Sequence, residues 1–186
     1  MTASACDEEH ESRSNLLPEV IGKPLRGRKR LHDDVTNERG VQGKANFRGH
    51  PLHLILISFP VAFWTGALFT DTVGGLRNDD FWFRMSVVLI AMGTVVAVLA
   101  SVCGYIDYRT VRMTVKARSV ATGHLVWSLG ATALFALAYL ARANAPRSVP
   151  GIVLTVIGAL VLLVGGYLGS ELANRFRIGV LEAPPR

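Results

Sequence analysis

The stretch that decides the fold is Met85–Ile106, MSVVLIAMGTVVAVLASVCGYI, which contains no Asp, Glu, Lys, Arg or His. It is 22 residues long, and about 20 apolar residues are enough for an α-helix to cross the roughly 30 Å hydrocarbon core of a bilayer. Backbone groups in lipid must be paired within the protein, so a helix is the form expected of this segment. The stretch therefore predicts a transmembrane helix.

Three further segments pass the same test, with lengths of 19, 23 and 23 residues. Their interiors are apolar apart from His53 in the first of them and His124 in the second. One such segment could be a buried helix of a soluble protein, but four in succession with short connections favour the membrane. The sequence therefore predicts an all-α integral membrane protein, a four-helix transmembrane bundle. The predicted spans are residues 52–70, 85–106, 119–141 and 148–170.

Charged residues are concentrated before the first span. Residues 1–47 contain 8 of the 14 acidic and 8 of the 20 basic side chains, and they contain no apolar run typical of a signal peptide. Half of the whole chain is hydrophobic, which excludes general disorder, and two cysteines do not make a disulfide scaffold. We therefore expect a polar, disordered cytoplasmic tail at 1–48, a membrane domain at 49–180 and a short C-terminal tail at 181–186.

Basic side chains flanking the spans predict the orientation in a bacterial inner membrane. Lys and Arg are more frequent before span one, between spans two and three and after span four than in the other two loops. Both termini are therefore expected in the cytoplasm. The residues counted for the cytoplasmic side are Arg39, Lys44, Arg48, Arg109, Arg112, Lys116, Arg118, Arg175, Arg177 and Arg186.

Motifs of common soluble enzymes are missing from the sequence. There is no CxxC pair, nucleotide-binding glycine loop or nucleophile elbow, so an enzyme is not indicated. The basic cluster Arg26–Arg30 has no interleaved aromatic residues, which favours contact with anionic headgroups over nucleic acid. Gly165 and Gly169 form a GxxxG pattern, which predicts close helix packing and could support a homo-oligomer.

The predicted topology brings five ionisable residues to one membrane face. His50 and His53 open span one, His124 lies about one turn into span three, and Asp107 and Glu171 close spans two and four. Imidazole and carboxylate groups at a common depth are the ligands that zinc, iron or manganese would use. Two histidines on different helices could also hold the iron of a b-type haem. The five residues are therefore candidate metal ligands.

Two other interpretations of these residues remain open. They could form an interhelical network, for example with His53 paired to Glu171, that only fixes the register of the helices in a structural or assembly subunit. They could also carry protons or a ligand in a small transporter, since ionisable residues within spans are costly and usually functional.

Several motifs around these residues resemble a known family of bacterial membrane proteins, catalogued as domain of unknown function 2231. The similarity covers residues 49–180. The motifs are Gly49-His50-Pro51-Leu52-His53, Phe59-Pro60, Asp71, Gly104-Tyr105-Ile106-Asp107-Tyr108, His124, Gly165-Gly166-Tyr167-Leu168-Gly169-Ser170-Glu171-Leu172 and Ile178-Gly179-Val180.

The resemblance implies a four-helix inner-membrane protein and supplies no activity. Some relatives are fused to Rieske-type or cytochrome c modules, which implies redox surroundings, although this chain contains neither module. The resulting hypothesis is a membrane protein that binds a metal or haem in a redox-linked role. Its expected partners are the lipid bilayer and a redox or membrane-complex protein.

Overall fold

The computed structural model describes residues 46–47 and 50–178. The predicted disorder of residues 1–48 falls almost entirely outside this part of the chain, and so does the tail at 181–186. Two short antiparallel strands, β1 (Asn46–Phe47) and β2 (His50–Pro51), precede the helices. The helices are α1 (Leu52–Arg77), α2 (Asp80–Thr110), α3 (Val115–Arg142) and α4 (Val149–Asn174).

All four helices are long and apolar enough to cross a membrane. Many large apolar side chains point outward, such as Val95, Leu163 and Phe69, each more than 60% exposed. An outward apolar surface is what lipid requires, whereas water would oppose it. The prediction of an all-α, multi-pass membrane protein is confirmed.

Polar residues fix the points at which three of the helices begin. The side chain of Asp79 accepts a hydrogen bond from the backbone N–H of Phe81 at the start of α2. Thr114 and Ser148 do the same for α3 and α4. Such caps satisfy backbone donors that have no partner within the helix. As a result, α2 and α3 begin several residues before the predicted spans.

The helices form two hairpins, α1 with α2 and α3 with α4, whose members pack along their length. The hairpins meet through the α2–α3 contact and through side chains of α1 and α3 in the centre of the bundle. Backbone contact between α1 and α4 is sparse, and between α1 and α3 it is sparser still, so α1 and α3 meet through their side chains. The α1–α3 seam therefore forms the middle of the molecule.

Residues 71 positions apart meet along this seam. His53 lies beside His124, Trp64 stacks on Phe135, and Asp71 pairs with Arg142. Because helices α1 and α3 present equivalent positions to each other in the same order, the two hairpins behave as a parallel internal repeat. We name the end with the two histidines the histidine end, and the end with Asp71 and Arg142 the arginine end.

The aromatic pair lies between these two ends. The rings of Trp64 and Phe135 are parallel within 8°, with centroids 4.0 Å apart, and both side chains are buried. Each ring packs over a glycine of its own hairpin, Gly93 for Trp64 and Gly158 for Phe135. These two glycines are 65 residues apart in α2 and α4. The repeat therefore extends to all four helices.

Candidate functional site

The candidate site is the pair His53 and His124, which we call the histidine pair. The Nδ1 atom of His53 lies 2.8 Å from the carbonyl oxygen of Ala100 in α2. The Nδ1 atom of His124 lies 2.8 Å from the carbonyl oxygen of Gly165 in α4. Each imidazole is therefore anchored to the second helix of its own hairpin, and the two anchors are equivalent in the repeat.

These hydrogen bonds determine which ring nitrogen carries the proton. A carbonyl oxygen can only accept, so Nδ1–H donates in both cases. The neutral ring then has its lone pair on Nε2. A backbone carbonyl on one nitrogen that leaves the other free to coordinate is the usual arrangement of a metal-binding histidine.

Two glycines provide the space in which the rings lie. A Cβ atom at Gly104 would lie 2.9 Å from the His53 ring, and one at Gly169 would lie 2.9 Å from the His124 ring. Each glycine comes one helical turn after the residue whose carbonyl accepts the hydrogen bond. Any other residue would push the imidazole away from that carbonyl.

The two imidazoles lie next to each other across the seam. Their ring centroids are 6.1 Å apart and their planes are nearly perpendicular, at 83°. A cavity of about 360 Å³ opens beside them, lined by residues from all four helices. Its wall is mostly apolar and includes Ile57, Leu125 and Met113. Two fixed nitrogen donors in an apolar cavity are the main chemical feature of the histidine end.

The structure places the other sequence-predicted ligands differently. Asp107 lines the same cavity as the histidine pair. Glu171 does not line it, and its Oε1 atom instead accepts a hydrogen bond from Arg175 one turn later, at 2.7 Å. The suggested pairing of His53 with Glu171 is thus absent between these two described residues. The side chain of His50 lies outside the described part of the molecule.

Across residues 46–47 and 50–178, no group of three or more His, Cys, Asp or Glu side chains is arranged to hold a metal ion. Among the described side chains, the predicted ligands therefore do not gather into one such group, and the assignment of His50 stays a prediction. Where both side chains are described, two histidines meet and one aspartate lines the cavity with them.

The two glycines of the GxxxG pattern both face α3 within the chain. A Cβ atom at Gly165 would lie 3.3 Å from Oγ of Ser128 and 3.5 Å from its backbone nitrogen. Gly169 faces the ring of His124. Close approach of α3 and α4 is therefore the use that this fold makes of the pattern.

Sequence reasoning missed the ion pair at the arginine end. Arg142 lies just beyond the predicted span 119–141, but it is the last residue of α3 and its side chain is fully buried. It donates two hydrogen bonds to Asp71, at 2.5 and 2.7 Å, and others to Thr155 and to the carbonyl of Pro146. The 71-residue spacing shared with the histidine pair was the signal that could have identified the partner.

Fold and site together define a multi-pass membrane protein built from two helical hairpins with a pair of anchored histidines at one end. The family model described as predicted membrane protein, DUF2231, matches residues 49–182. The chain belongs to this family. No curated protein and no solved structure matches the chain.

Proposed function

We propose that this protein binds a transition-metal centre through the histidine pair and serves in a redox-linked role in the membrane. The observation that supports this best is the matched anchoring of the two rings. Each Nδ1–H is held by a backbone carbonyl, so both rings keep a lone pair on Nε2 beside one cavity. Imidazole nitrogen suits iron, copper, zinc and nickel.

The separation of the rings fits one shared metal. With a metal–nitrogen bond of about 2.0–2.1 Å and roughly 1.1 Å from Nε2 to the ring centre, two imidazoles on opposite sides of one metal have centroids roughly 6.3 Å apart. The observed centroid distance is 6.1 Å. The distance between the ring centres is therefore compatible with one metal bound by both histidines.

The rest of the seam supports binding over conduction by a single chain. Beyond the histidine pair, the seam is occupied by the stacked rings of Trp64 and Phe135 and then by the buried pair of Asp71 and Arg142. A transported ion would have to pass both layers. A binding site at one end of the bundle does not require such a path.

The histidine end is proposed to face the cytoplasm across the bacterial inner membrane. The excess of Lys and Arg in the segments next to this end supports that orientation. Reporter fusions to the C-terminus and to the α1–α2 turn at Asn78 would test it. A cytoplasmic signal from the first and a periplasmic signal from the second are expected, and the reverse pattern would overturn the orientation.

Elemental analysis of protein purified in mild detergent tests metal binding directly. We expect a near-stoichiometric transition metal that is lost in His53→Ala and in His124→Ala. Glu171→Gln is the matched control, because it removes a carboxylate from the same end of the bundle but not from the cavity. Its metal content should equal that of the wild type.

Two outcomes would contradict the proposal. One is metal-free protein that also fails to take up iron, copper, zinc or manganese when each is added and the excess removed. The other is full metal content in the His53→Ala/His124→Ala double variant. Either result, with the helical content unchanged by circular dichroism, would favour the structural or assembly interpretation.

A further inference from the structure

We infer that the metal centre is the iron of a b-type haem, with His53 and His124 as its two axial ligands. This inference rests on the proposed function and adds to it the chemical class of the cofactor. Three independent features of the histidine end carry it: the number of donors, the equivalence of the two histidines and the nature of the cavity.

The first feature is the number of donors. Zinc and similar ions in proteins usually take three or four protein ligands. In the described part of the chain, no three His, Cys, Asp or Glu side chains are arranged around one point. Haem iron needs only axial ligands from the protein, because the porphyrin supplies the other four nitrogens. Two imidazoles complete the coordination of haem iron, whereas a metal ion without a porphyrin would need further protein ligands.

The second feature is the equivalence of the two histidines. Both rings are anchored at the same atom to the same kind of carbonyl, and both lie over a glycine one turn further along. The internal repeat thus places two equivalent ligands on opposite sides of the seam. The two axial positions of haem iron are likewise equivalent, and the 6.1 Å centroid distance matches two imidazoles bound on opposite sides of one metal.

The third feature is the cavity beside the rings. Its volume of about 360 Å³ is within the usual range for cofactor and ligand pockets. Its wall is mostly apolar and includes Leu54, Val61 and Leu129. A large apolar macrocycle is the kind of molecule that such a wall suits.

One residue that lines the cavity is in contact with an arginine. Tyr108 lines the cavity, and its hydroxyl lies 2.9 Å from Oγ1 of Thr122. The guanidinium of Arg118 lies over the Tyr108 ring, 5.2 Å from its centre. A guanidinium is well shaped to bind a carboxylate, so Arg118 is the candidate partner of a haem propionate next to the apolar wall.

The test is absorption spectroscopy of the full chain, expressed in cells supplied with 5-aminolaevulinate and purified in mild detergent. We expect haem equal in amount to the bound iron, released by pyridine as the b-type haemochrome, with the spectrum of a six-coordinate low-spin iron. His53→Ala and His124→Ala should each shift the spectrum toward a five-coordinate form or lose the haem.

A rescue experiment separates a ligand from a residue needed only for folding. In His124→Gly, and separately in His53→Gly, added imidazole should restore the low-spin spectrum of haem-loaded protein. A low-spin spectrum in either alanine variant without imidazole would overturn axial ligation by that histidine. Failure of imidazole to restore it in both glycine variants would overturn the bis-histidine centre.

The failure of this inference can be distinguished from that of the proposed function. A stoichiometric metal without haem absorption, lost in the histidine variants, would overturn the haem and leave the metal-binding function standing. No bound metal in the purified protein, together with no saturable uptake of added haemin or of metal salts, would overturn both.

Discussion

The two ends of the α1–α3 seam use the same positions of the internal repeat for different purposes. At the histidine end, the equivalent residues are identical, His53 and His124, and each is anchored to its own hairpin. At the arginine end, they are opposite in charge, Asp71 and Arg142, and bind each other. Two identical residues can bind one ligand between them, whereas two oppositely charged residues neutralise each other's charge.

The difference also shows how a repeat avoids ambiguous pairing. Two hairpins with identical seams could pair with copies of themselves, but a buried Asp opposite a buried Arg fixes which hairpin faces which. Space for the arginine side chain is provided by α4, because a Cβ atom at Gly151 would lie 2.2 Å from Cγ of Arg142. In α2, the equivalent position of the repeat is Ser86, which has a side chain.

The largest effect is expected from breaking the pair at the arginine end. Asp71→Asn or Arg142→Gln should lower the free energy of unfolding by about 3–5 kcal/mol, because each leaves the remaining charge buried without its partner. Denaturant titration in detergent micelles measures this. The control is Asp80→Asn, which removes the exposed partner of Arg147 and should cost about 0–1 kcal/mol.

Double variants sharpen that prediction. Asp71→Asn/Arg142→Gln should recover much of the stability, since two neutral amides can bind each other without an uncompensated charge. Asp71→Arg/Arg142→Asp should recover less, because α2 has Ser86 where α4 provides Gly151. Equal recovery in the two double variants would show that the space at Gly151 does not decide the side on which the arginine lies.

A smaller effect is expected from moving the imidazoles at the histidine end. Alanine at Gly104 or Gly169 places a methyl group 2.9 Å from an imidazole ring. This methyl group should push the ring aside and move its Nδ1–H away from the carbonyl. Loss of such an outer hydrogen bond typically lowers metal affinity about 10–100-fold. Because the two glycines are equivalent in the repeat, the two variants should weaken metal or haem binding to a similar extent, as measured by titration.

Gly166→Ala is the matched control for the glycine variants. Gly166 lies in α4 and lines the same cavity, but no atom is within 4 Å of the position of its Cβ. The Gly166→Ala variant should bind metal with wild-type affinity. If Gly166→Ala weakened binding as strongly as Gly169→Ala, the effect would come from the helix or the cavity as a whole and not from the ring of His124.

The sequence was sufficient to predict the helices and to select the two histidines as candidates, but not to predict the partners of the polar residues. Long apolar segments are distinctive, and an imidazole within one stands out against them. The side of a helix that faces the bundle is harder to predict when the helix is apolar all round, as these are. Arg142, at the end of a span, therefore resembled one more flanking charge, and its contact with Asp71 could not be inferred from charge counts.

Glu171 illustrates a second limit of the sequence. Its position at the end of span four suggested a ligand at the depth of the histidines, but Arg175 follows four residues later in the chain. On a helix, such a pair shares one face, and the carboxylate binds the nearby guanidinium instead of pointing to the cavity. A local i, i+4 contact therefore took the place of the predicted long-range one.

The smallest effect is accordingly expected from this third pair, Glu171 with Arg175. The Arg175 side chain is two-thirds exposed, so Glu171→Gln should change the free energy of unfolding by only about 0–0.5 kcal/mol. The Asp71–Arg142 pair is of similar length, 2.5 Å against 2.7 Å, but it is buried, and the contrast between the two measures what burial adds to a salt bridge. A loss of several kcal/mol in Glu171→Gln would mean that the glutamate has a partner in the bundle besides Arg175. Loss of metal in the same variant would return Glu171 to the ligand set, and the two-histidine site would then be incomplete as described.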